Sequence, residues 1–276
     1  MASTEKESKD DMSFLDHLEE LRWHLMRSVA VVFTLSIVLF FYNDFIFGTV
    51  LFGPKHADFI TYRLMCKLSH YIGAGNSMCI KEIKFSLINT DLAGQFTMHM
   101  WISFVAGIVL GIPYVLWELW RFIQPALHQK EKNNTRGFVF YASALFIIGV
   151  LFSYYIIVPM SVNFLGNYQV SEDVVNMVSM DSYISVVTTL VLATGIVFEL
   201  PILVYFLTKF GVISPQYMRK YRKHALVVIL IVAAVITPSP DVSSQLLVAF
   251  PLYMLYELSI FVSRFVIKKQ HIQISN

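Results

Sequence analysis

The sequence predicts an all-α integral membrane protein of six transmembrane helices, and three observations carry that prediction. Of its 276 residues, 56% are hydrophobic and only 14% charged, against about 25% charged in an average soluble domain. Six apolar stretches recur along the chain, four of them long enough to cross a bilayer, whose hydrocarbon core is about 30 Å thick. Lys and Arg alternate with these stretches: sixteen of the 21 lie on one set of alternate connecting segments and five on the other. By the positive-inside rule both termini are cytoplasmic (N-in, C-in).

Residues 1–27 read as a cytoplasmic tail followed by an interfacial helix. The first eleven are polar and acidic and carry no cleavable signal pattern. Ser13 precedes Asp16 by three residues, a capping arrangement, and Phe14, Leu18, Leu21 and Leu25 recur at helical spacing with acids and Arg22 between them. The first span covers about 28–47, and a long extracytoplasmic loop follows over 48–91, with Gly53-Pro54 and two cysteines, Cys66 and Cys79. Those cysteines leave two readings open, a disulfide or two free thiols. Spans follow at about 92–117 and 137–160, the latter ended by Pro159.

The stretch at about 182–208 is the most informative. Its 27 residues are apolar or small except for Glu199, two positions before Pro201. A carboxyl in hydrocarbon costs several kcal/mol, of order, unless it is paired, protonated or wetted, which makes Glu199 a functional candidate; the alternative is an acid near headgroup water or one retained for packing. The last two spans, about 224–236 and 246–262, are short. Thirteen residues make about 20 Å of helix, so the pair predicts a hairpin packed on the bundle in a locally thinned bilayer. A second acid, Glu257, lies in the last of them, and 264–276 reads as a cytoplasmic tail. Residues 28–263 thus form a single membrane domain.

Enzyme signatures are missing. The helix His17-Leu-Glu-Glu lacks the second histidine of a zinc metalloprotease, and neither a GxSxG elbow nor a Walker A loop occurs. Nothing points to a catalytic residue, a metal, another cofactor or a nucleic acid. Two classes of function remain. Glu199 and Glu257, if they met across helices, would share a proton, the basis of a proton-coupled transporter. The acids near the cytoplasmic side, Glu19, Glu20, Glu118 and Glu131, suit a partner rich in Arg, whose guanidinium fork a carboxylate accepts through two bonds.

Several words of the sequence decide between them: His17-Leu-Glu-Glu-Leu-Arg22, Gly53-Pro54, Trp120-Arg-Phe-Ile-Gln-Pro-Ala-Leu127 with Glu131, Phe198-Glu-Leu-Pro201, Thr237-Pro-Ser-Pro-Asp-Val242 with Gln245, and Tyr256-Glu-Leu. In this order on a six-span frame the chain resembles the TatC family, the polytopic core subunit of the twin-arginine protein translocase. The resemblance covers about residues 13–266. It implies a concave, glove-like bundle in the cell inner membrane that binds twin-arginine signal peptides of folded precursors. It also implies single-span partner subunits of the TatA and TatB type, self-association, and transport driven by the proton-motive force. Carried over, Glu20, Arg22, Phe122, Pro125 and Glu131 form the signal-peptide site, and Glu199 docks a partner inside the membrane. Pro54, Asp241 and Gln245 hold the extracytoplasmic turns. The cysteine pair and the polar His128-Gln-Lys-Glu-Lys-Asn133 stretch depart from the family pattern.

Overall fold

A computed structural model describes residues 14–71, 73, 75–76, 79, 85–124, 135–169, 171, 176–237 and 242–275. Helix α1 runs unbroken over Phe14–Phe40. The expected interfacial helix and the first half of the first span are therefore one rod, because neither Gly nor Pro interrupts 14–40 and Arg27 alone does not break a backbone. The chain then turns through a π-helical segment, Phe45–Leu51, and a single 3-10 turn, Gly53–Lys55, into helix α2, Ile60–Tyr71. Helix α3 spans Gly94–Ile123. It lies against α1 through Gly107 and Gly111, where Ser36 and Val32 of α1 approach the bare Cα positions.

Helix α4, Thr135–Phe152, leads through a π-helical turn at Ser153–Ile157 into α5, Val158–Asn167. Pro159 was expected to end this span; instead the helix continues past it. A proline removes one backbone donor and pushes against the carbonyl four residues back, which here belongs to Tyr155. The Thr61 hydroxyl of α2 donates to that carbonyl. Tyr62, also of α2, shares its hydroxyl between the carbonyls of Pro159 at 2.8 Å and Pro54 at 2.9 Å. Tyr62 is almost fully buried, and burial pushes its phenol pKa well up. Tyr62→Phe is expected to lower stability by about 1–2 kcal/mol, since it leaves buried carbonyls without their donor; the midpoint of thermal unfolding in detergent measures this.

The expected fourth span is two helices, α6 (Met180–Val197) and α7 (Leu200–Lys209), separated at Phe198 and Glu199. Pro201 sits in the first turn of α7, where its missing N–H is harmless. A short helix α8, Pro215–Lys220, capped by Ser214, precedes α9, Arg222–Ile236, and α10, Val242–Ser275. The last helix thus runs on through the stretch expected as a tail. Five helical segments are long and apolar enough to cross a membrane; α9, at fifteen residues, is shorter.

The main core gathers Ile157, Ile184, Leu190, Ala233, Val248 and Leu252 from the later helices. A hydroxyl pair, Thr208 and Ser263 at 2.8 Å, ties α7 to α10. At the end of the bundle that carries α2, two three-residue strands pair in parallel. Ser86 lies opposite Met177 and Ile88 opposite Ser179, joining strand β1 (Ser86–Ile88) to β2 (Met177–Ser179). Cys66 and Cys79 form a disulfide there, with Cα atoms 4.4 Å apart. The intervening chain turns through Gly73 and Gly75, both at positive φ, a conformation glycine adopts without steric cost.

Candidate functional site

The polar groups at the opposite end of the bundle converge on the contact between α1 and α3. Glu20 and His24 lie one turn apart on α1, so they share a face. His24 Nε2 is 3.9 Å from Glu20 Oε1. The other ring nitrogen, Nδ1, bonds to Glu118 Oε2 on α3. Glu118 is 1% exposed and His24 8%, so the pair is out of solvent. The Tyr114 hydroxyl donates to the second Glu118 oxygen at 2.9 Å, and the Arg121 guanidinium lies 3.7 Å from it. Arg121 in turn covers the face of Trp117, 4.9 Å from the ring centroid. Phe122 packs its ring edge-on against the His24 imidazole, with 6.2 Å between centroids.

Glu20 is half-buried, and its Oε2 is buried without a hydrogen-bond partner among the described residues. Desolvating a carboxylate oxygen without a donor is unfavourable, so this oxygen has acceptor capacity to spare. Arg22 is exposed on another face of α1. Pro125 and Glu131 lie outside the described residues, as does Asp241 of the last turn. Of the five residues expected at a signal-peptide site, the structure brings Glu20 and Phe122 to the same imidazole. That imidazole was missing from the expected site, and Glu118, read only as one of four acids suited to an Arg-rich partner, is the buried carboxylate that holds it. The four-residue spacing of Glu20 and His24 was the available clue; their partner on α3 is 94 positions from His24, too remote for any local pattern.

Glu199 stands at the break between α6 and α7, and neither carboxylate oxygen has a partner among the described residues. The preceding residue, Phe198, is buried and packs against Phe152, with 5.6 Å between ring centroids. Glu257, the acid considered as its proton-sharing mate, is occupied elsewhere: Arg222 of α9 donates to it at 2.6 Å and Tyr253 at 3.2 Å. Pro54 is buried and accepts from Tyr62. Gln245 donates to the Leu230 carbonyl at 3.0 Å, pinning the start of α10 to α9. Cys66, His70 and Cys79 are near enough together to suggest a metal site, but the disulfide uses both sulfurs and leaves His70 as the sole competent donor of the three.

These features define a class: a multi-pass helical membrane protein with a buried carboxylate–imidazole cluster at one end and an unpartnered acid within a membrane helix. The model of one family, the Sec-independent protein translocase protein (TatC), matches residues 16–251. The Sec-independent protein translocase protein TatC of Blattabacterium sp. subsp. Periplaneta americana (strain BPLAN) is 40% identical over 266 residues, covering 96% of this chain and all of the relative. That of Helicobacter pylori (strain ATCC 700392 / 26695) is 38% identical over 250 residues, covering 91% and 87%. Among solved structures, a twin arginine translocase receptor TatC superposes with a TM-score of 0.64 at 31% identity, covering 91% of this chain and 99% of the other. The receptor crystallised in DDM gives 0.68 at 33% identity, covering 90% and 99%. The chain belongs to the TatC family and is a protein-translocase component of the membrane, a transport subunit and not an enzyme.

Proposed function

We propose that this subunit is the receptor for twin-arginine signal peptides and the assembly core of the translocase. The observation that carries the reading is the buried Oε2 of Glu20, without a hydrogen-bond partner among the described residues, one turn from the His24 ring against which Phe122 packs. A guanidinium supplies what that atom lacks, and a second signal arginine falls to Glu131, with Arg22, Phe122 and Pro125 shaping the site. The receptor role of the two solved relatives supports the same assignment. Helix α9 forms the short fifth span of a concave bundle, and α10, expected as a short sixth span, is long enough to cross on its own. Both termini are cytoplasmic and the membrane is the cell inner membrane. The partners are single-span subunits of the TatA and TatB type, docked at Glu199, together with further copies of this chain, and transport draws on the proton-motive force. Glu257 is tied to Arg222, which counts against a proton-coupled transporter built on the two acids.

Site-specific photocrosslinking tests the receptor reading. A probe at Leu21, exposed beside Glu20, is expected to capture a folded precursor with an Arg-Arg signal about tenfold better than one with Lys-Lys, and to lose it in E20A. Tenfold corresponds to the difference between one oriented bidentate bond and a point charge. Equal capture of both signals, with E20A unchanged, removes the assignment.

A further inference from the structure

We infer that His24, oriented by Glu118, is a positioning residue that gives the Glu20 carboxylate its preference for arginine over lysine; the inference rests on the receptor reading above. An imidazole on a helix can swing about two side-chain torsions. Here one ring nitrogen is fixed by Glu118, which is itself held by Tyr114 and Arg121 and shut away from water. A ligand histidine at a metal is oriented by a carboxylate in just this way. The edge of Phe122 limits tilting of the ring. The remaining ring nitrogen then faces Glu20 Oε1 at 3.9 Å, close enough to orient that oxygen and too far for a hydrogen bond.

Glu20 is therefore biased and not locked. One oxygen turns toward the imidazole, the other into the buried, donorless position. A carboxylate with one direction fixed favours a planar fork that matches it, whereas a freely rotating one accepts any nearby point charge. Recognition of the positive charge belongs to Glu20; discrimination between two kinds of positive charge belongs to the pair behind it.

The test uses the full-length protein in membranes, the crosslinking probe at Leu21, and the ratio of Arg-Arg to Lys-Lys capture at equal protein level. The variant H24L/E118L removes both buried partners together, so neither is left as an unpaired charge. It is expected to lower the ratio about tenfold, with Lys-Lys capture unchanged. A wild-type ratio in H24L/E118L overturns the inference. If that variant does not accumulate, H24Q takes its place: it retains a donor for Glu118 without an imidazole toward Glu20, and a wild-type ratio there overturns the inference equally. Loss of the ratio in E20A alone leaves the receptor reading standing without His24; an E20A that discriminates like wild type removes the receptor reading itself.

Discussion

Glu199→Leu is expected to make the isolated subunit more stable while abolishing transport. Both oxygens of this carboxyl are buried without a partner among the described residues, at a helix break inside a membrane-crossing segment. Removing a desolvated, unpaired polar group returns about 1–3 kcal/mol, so the thermal midpoint in detergent rises. The same change deletes the polar contact offered to a single-span partner, and co-purification of that partner falls more than about tenfold. Glu199→Gln keeps the hydrogen-bonding capacity and is expected to retain the partner without the gain in stability. A fall in stability for the leucine variant would mean that the carboxyl has an internal partner and that the docking role is wrong.

Gly107→Leu is expected to unfold the site end of the molecule outright. A side-chain carbon at Gly107 would lie 2.9 Å from the Ser36 backbone nitrogen and 3.0 Å from its Cα, so relief requires the α1 backbone itself to move. Overpacking of this kind costs about 1–3 kcal/mol and more when backbone is the obstacle. Here it also pushes α1 from α3 and so parts His24 from Glu118. Gel filtration and tryptophan fluorescence of the purified variant read the loss. Gly137→Leu serves as the control: nothing lies within 4 Å of that position, and leucine is the better helix former, so the variant is expected to behave as wild type.

Much of this was legible in the sequence, and the exceptions share a physical cause. Glu20 and Glu199 announce themselves because a charge next to apolar neighbours is costly, and cost is visible residue by residue. Pro201 was visible too, but the fourth span was read as one continuous helix and not as the two that meet at Phe198 and Glu199. What stayed hidden depends on a second segment. The third span continues beyond Pro159 where Thr61 and Tyr62, about a hundred positions away, donate to the carbonyls of Tyr155 and Pro159. Likewise, His24 looks like an ordinary residue of an apolar helix until α3 delivers Glu118. Periodicity reports which face of a helix is turned inward and is silent on what meets it there.

The proline defect in the third span also bears on the order in which the chain is completed. Helix α2 fastens to the Tyr155 carbonyl, which Pro159 cannot pair, and to the carbonyl of Pro159 itself, so the anchorage does not exist until residues almost a hundred positions later are in place. Until then the segment between the first two spans has its disulfide available as a local clasp but nothing to rest on. Its docking therefore waits on the third span, whose carbonyls are the acceptors.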